Sequence, residues 1–115
     1  MPAKTVFEMP FASVYTALIR KAERKSRTRA EVEEVTSWLT GYTLDQIDAS
    51  LASEITYGAF LLGSPDYNPR SELITGKVCG IRVETIEDPL MKKVRQLDKL
   101  VDELAKGRPM EKVLR

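Results

Sequence analysis

The chain of 115 residues has no histidine and a single cysteine, and each scarcity removes a chemistry. Without histidine, the commonest general base and metal ligand is missing. Cys79 has no second cysteine with which to form an internal disulfide, which fits a reducing compartment. Lys77 or Arg82 could lower its pKa, yet with no imidazole to serve as its base the default expectation is a buried, inert thiol. No apolar run approaches the roughly 20 residues of a bilayer span, and Pro2, Glu8 and Pro10 interrupt the stretch where a signal peptide needs continuous apolar residues. The chain therefore reads as cytoplasmic and non-membrane. It also lacks a glycine-rich phosphate loop and any nucleophile–base pair, so the expectation is no catalytic residues, no cofactor and no bound metal. An enzyme ranks third among the readings, because Asp, Glu, Lys and Tyr chemistry stays open.

What is present suffices for one ordinary domain. The hydrophobic share is 43% and the charged share 30%, far from the composition of disordered chains. A chain of this length supports a single modest core, so residues 1–115 are expected to form one domain. The net charge is +1 but unevenly spread: residues 1–29 are basic, 30–72 strongly acidic and 73–115 mildly basic. A basic end folded against an acidic middle neutralises itself without any external partner.

Apolar spacing and capping signals outline the helices. Phe11, Val14, Tyr15, Leu18, Ile19 and Ala22 form one helical stripe running to about Lys25. Thr28 and Glu31 make a capping box, so a second helix begins near Arg29 with Val32, Val35, Trp38 and Leu39 inward and Gly41 as its left-handed stop. Thr43 and Gln46 repeat the box for a short third helix facing Leu44, Ile47 and Leu51 inward. Ser53 is the expected cap of a brief fourth segment through Ile55, Ala59, Phe60 and Leu61, and residues 64–71 are the clearest loop. Leu73 to Ile86 is ambiguous between strand and helix. As a strand, its available partner is the N-terminal arm, giving a ribbon between residues 5–9 and 79–84. Asp88-Pro89 opens a long last helix with Met91, Val94, Leu97, Val101 and Leu104 on one face, widened by Leu90 and Leu100, with Lys99/Glu103 and Asp102/Lys106 paired on the solvent side. Gly107-Arg108-Pro109 closes it and admits a final turn bearing Met110, Val113 and Leu114.

The strongest functional candidate is the basic run Arg20, Lys21, Arg24, Lys25, Arg27 and Arg29, with four cations on the outer side of the first helix and two in the following turn. Clusters of this kind contact phosphates. A solvated helix face is the favoured explanation, because cations suit the C-terminal end of a helix dipole and the overall pI near 7.8 argues against a nucleic-acid module. The corner Trp38 to Thr43 has helix-turn-helix spacing, but the helix after it carries Asp45 and Asp48 and no lysine or arginine, so phosphates would repel it. Carboxylates at Glu31/Glu33/Glu34 and Glu84/Glu87/Asp88 open helices, where negative charge complements the dipole, and lack metal-ligand spacing. Trp38 and Tyr42 read as core. If the face around Leu90, Leu97, Leu100 and Leu114 is incompletely covered within one chain, it predicts a homodimer.

Several segments carry a resemblance that covers nearly the whole chain: Phe11-Ala12-Ser13-Val14-Tyr15, Lys21-Ala22-Glu23-Arg24-Lys25, Trp38-Leu39-Thr40-Gly41-Tyr42, Ile86-Glu87-Asp88-Pro89-Leu90-Met91, and Leu97 through Gly107. In these the sequence resembles the bacterial family known as domain of unknown function 2200. The resemblance implies a small, stand-alone, mostly helical cytoplasmic bacterial protein. The family has no assigned activity, so no functional residues carry over.

The expected fold is all-α, a small orthogonal bundle of about five helices with a minor two-stranded ribbon. The expected function is a non-enzymatic module that binds a protein partner or itself. The alternative is a nucleic-acid-associated protein that uses the basic turn at residues 20–29.

Overall fold

Most helices of the computed structural model, which describes residues 6–78 and 80–115, start on a side chain that satisfies backbone donors. Helix α2 (Arg29–Thr40) has the reciprocal box between Thr28 and Glu31, and α3 (Leu44–Leu51) has the same box between Thr43 and Gln46. The carboxylate of Asp88 accepts from the amides of Leu90 and Met91, with Pro89 in the first turn of α5 (Pro89–Ala105). The first helix, α1 (Phe11–Glu23), has no side-chain cap; the Phe11 amide instead donates to the Ile55 carbonyl at 2.8 Å. Helix α4 (Tyr57–Leu62) is capped by Thr56 rather than Ser53, whose hydroxyl accepts from the Ile55 amide. A single turn, α6 (Met110–Val113), follows Pro109. The described residues are thus mostly helical, with six α-helices and one small ribbon.

Helix α5 is the central pillar, packed against α1, α2, α4 and α6. Its Val94, Leu97, Leu100, Val101 and Leu104 are fully covered by the rest of the chain. Aromatic rings run through the core: Tyr15 stacks on Phe11 at 4.9 Å, Phe11 on Phe60 at 3.9 Å, and Phe60 on Tyr42 at 4.5 Å. Polar ends of this ladder are satisfied. Tyr15 donates to the Thr36 hydroxyl at 2.8 Å, and Tyr42 to the Phe60 carbonyl at 2.7 Å. Gly41 takes φ 82° to end α2, and a side chain there would strike Asp66 at 2.8 Å, so both conformation and space require glycine.

The ribbon exists, but its partners differ from those expected. Strand β1 (Lys77–Val78) pairs antiparallel with β2 (Ile81–Arg82) as a local hairpin. The N-terminal segment does not join it: Val6–Glu8 is a 3-10 turn, and Pro10 bridges Thr56 instead, with the Tyr57 amide donating to the Met9 carbonyl at 2.8 Å. Pairing strands that neighbour each other in sequence costs far less chain entropy than closing a loop of about seventy residues, and Gly80 takes a left-handed φ of 77° just before β2. Thr5 and Cys79, which belonged to the expected ribbon, lie outside the described residues, as does the expected burial of the Cys79 thiol. The ambiguous stretch also supplies core residues, because Ile74, Val78 and Val83 are buried.

Candidate binding surfaces

The six cations of the basic run separate into different jobs. Helix α1 ends at Glu23, so Arg24 and Lys25 sit in the turn beyond it, where Ser26 adopts φ 64°. Arg27 is structural. Its guanidinium grips the Glu31 carboxylate at 2.7 Å and donates to the carbonyls of Leu104 at 3.2 Å and Arg108 at 2.8 Å, tying the start of α2 to the end of α5 and the turn after it. This arginine holds the Glu31 carboxyl below its usual range. Arg29 pairs with Glu33 at 3.3 Å and Asp48 at 3.4 Å, and Lys21 with Asp102 at 3.3 Å. Only Arg20, Arg24 and Lys25 remain outward and outside ion pairs among the described residues. The basic run therefore spends half its charge inside the molecule.

Two other side chains stand where the sequence pattern did not put them. Glu103 is buried rather than paired with Lys99. The Arg115 guanidinium holds it through bonds of 2.6 and 2.9 Å, with Arg108 at 3.4 Å, while the Lys99 ammonium donates to the Lys77 carbonyl. The Asp102–Lys106 pair forms as expected, at 3.0 Å. Leu44, expected inward, is 51% exposed, whereas Ile47 of the same helix is fully buried and Leu51 half-buried. Capping by Thr43 sets the phase of α3, and only one residue of this two-turn helix can face the core squarely.

Leu44 opens onto a groove of about 540 Å³ lined by Ala30, Glu34, Ser37, Trp38 and Leu114. Trp38 is only partly buried here, so it and Leu114 extend the core into the groove floor. The face expected to drive dimerisation is closed differently: Leu97 and Leu100 are fully covered, and Leu90 and Leu114 are half-covered. Glu34 and Asp45 are exposed and enter no ion pair among the described residues, so the groove lies in an acidic field.

A second concavity, of about 300 Å³, is the more polar of the two. It lies where the 3-10 turn Pro69–Leu73 meets the first turns of α5 and is lined by Tyr67, Ser71, Ile86, Pro89, Lys92, Lys93 and Gln96, with Glu72 and Glu87 also at its wall. The buried Gln96 amide uses both ends, accepting from the Tyr67 hydroxyl and donating to the Ser71 carbonyl at 3.2 Å. Burial pushes the Tyr67 phenol well above its ordinary pKa. Sequence reasoning missed this pocket because its residues come from three separated segments. The doublet Lys92-Lys93, next to the start of a helix, was the one local signal available.

Among the described residues, no three histidine, cysteine, aspartate or glutamate side chains are grouped to hold a metal ion, and no helix is long and apolar enough to cross a membrane. Fold and surfaces together define a small, mostly helical protein with an acidic apolar groove and a more polar pocket. The same architecture occurs in a crystal structure titled as that of uncharacterized protein SP1917, with a TM-score of 0.92 and 50% sequence identity, covering 98% of this chain and 94% of that one. The family model described as "Uncharacterized protein conserved in bacteria (DUF2200)" matches residues 5–115, and the chain belongs to that family. No curated protein matches it.

Proposed function

We propose that this protein is a non-enzymatic interaction module of the cytoplasm whose groove receives a segment of a protein partner. The observation that carries the reading is Leu44, a large apolar side chain left 51% exposed beside half-buried Trp38 and Leu114 in a concave surface. The occupant follows from charge. Glu34 on the groove wall and Asp45 next to Leu44 favour a segment with apolar anchors flanked by lysine or arginine, and an amphipathic helix presents both.

The test uses a Leu/Lys amphipathic peptide as probe, titrated into isotope-labelled protein. Saturable shifts confined to Ala30, Ser37, Trp38, Leu44 and Leu114 are expected, and Leu44→Asp should abolish them without unfolding the protein, because the site is already solvated. Binding that survives Leu44→Asp refutes the groove as the docking site. Sedimentation at micromolar concentration should show a monomer. A dimer that disappears in Leu44→Asp would assign the groove to a second copy of the chain and overturn the choice of occupant.

A further inference from the structure

We infer that the polar pocket beside Tyr67 is a binding site for a small organic monocarboxylate, independent of the groove. Lysines are rarely withdrawn from water, yet Lys92 and Lys93 are both half-buried at this wall, the Lys92 side chain only 25% exposed. Their charges are weakly answered. Lys92 reaches Glu72 at 3.4 Å, but that glutamate is 74% exposed, so the pair is screened and easily exchanged. Lys93 enters no ion pair among the described residues; its ammonium sits 4.2 Å from the centroid of the Tyr67 ring. Both lysines lie in the first turns of a 17-residue helix, where the dipole disfavours cations and favours an anion between them.

The rest of the pocket limits what that anion can be. Ile86 and Pro89 form an apolar wall, so an anionic head alone leaves surface uncovered. Gln96 has both amide ends committed to Tyr67 and Ser71, which fixes the Tyr67 ring that carries Lys93 and makes the site rigid before any ligand arrives. Glu72 and Glu87 also stand at the wall, so the lining carries two positive and two negative charges, and a dianion meets more repulsion there than a monoanion whose single carboxylate sits between the lysines. A volume of about 300 Å³ lies at the small end of ligand pockets and admits a compact body such as one ring.

Benzoate is the probe, followed by amide and methyl shifts in the labelled protein. Saturable shifts at Lys92, Lys93, Gln96 and Tyr67 are expected with benzoate. Benzamide, which has the same shape without the charge, should bind about tenfold or more weaker, as should terephthalate with its second carboxylate. Inorganic phosphate should produce no saturable shift at Ile86. Lys93→Gln should lose benzoate binding by a similar factor while its melting temperature stays at the wild-type value, and Leu44→Asp should leave benzoate binding unchanged. Equal binding of benzoate and benzamide, retained binding in Lys93→Gln, or no saturation with benzoate would each overturn the proposal.

Discussion

The Tyr57 hydroxyl is buried with no hydrogen-bond partner among the described residues, and replacing this tyrosine with phenylalanine should stabilise the protein. An unpaired hydroxyl in an apolar setting costs about 1–3 kcal/mol. Removing it leaves an oxygen-sized void of roughly 10 Å³, which at about 24 cal/mol per Å³ returns only about 0.2 kcal/mol. The net gain is therefore about 1–3 kcal/mol, or roughly 3–15 °C in melting temperature for a domain of this size. Urea unfolding followed by far-ultraviolet circular dichroism should show a higher midpoint with an unchanged slope, the sign of a pure stability change. Tyr15→Phe is the matched control. The same atom is deleted, but Tyr15 donates to Thr36, which then loses a partner, so this variant should lose about 1 kcal/mol. Opposite signs from one chemical change follow only if hydrogen-bond satisfaction decides the outcome. A loss of about 1 kcal/mol or more in Tyr57→Phe would refute the reasoning and show that the hydroxyl is bonded in solution, with buried Arg95 Nε, also without a partner among the described residues, as the neighbouring group to share a water.

Arg27→Gln should destabilise the protein by about 1–3 kcal/mol, because one guanidinium serves a carboxylate and two carbonyls, whereas Arg20→Gln should change stability by less than about 0.5 kcal/mol; chemical denaturation compares them. Gly41→Ala should cost about 2 kcal/mol or more through left-handed strain and the clash with Asp66, read by thermal melting. Arg27 holds the Glu31 carboxyl below its ordinary value of 4.5, so the stability this group contributes is present above that pH and disappears as pH falls through its lowered value; Glu31→Gln should flatten the acid limb of the pH–stability curve in that window. With half of the basic run engaged internally, no RNA or duplex DNA should bind more tightly than the roughly 10⁻⁴–10⁻⁶ M of non-specific contacts, and replacing Arg20, Lys21, Arg24 and Lys25 with glutamine should leave the fold intact; filter binding across a salt series checks both.

Local chemistry was legible in the sequence and distant pairing was not. The boxes at Thr28/Glu31 and Thr43/Gln46, the Asp88-Pro89 start and the Gly41 stop all lie within one helical turn of the backbone they serve, so spacing alone locates them. Thr56 was missed because Ser53, three residues earlier, offers the same hydroxyl and only the docking of Ile55 against Phe11 decides between them. Glu103 illustrates the larger failure. Its helical spacing to Lys99 is ideal, but the chain's return through α6 brings Arg115 to it from twelve residues away, and a buried bidentate pair outcompetes an exposed one. The groove and the pocket were hidden for the same reason: Leu114 meets Trp38, and Gln96 meets Tyr67, only after the helices pack.

The Arg27 clasp has a kinetic meaning as well. Its bonds to the Leu104 and Arg108 carbonyls join positions 77 and 81 residues apart, so they close only when both halves of the chain have docked. Interactions that form after the folding barrier slow escape from the native state without speeding arrival. The turn between the first two helices and the end of the longest one are therefore fastened together, and neither can peel away by itself. Loss of this one side chain should appear as faster unfolding and as earlier local opening at the ends of α1 and α5, in a molecule that otherwise comes apart as a single unit.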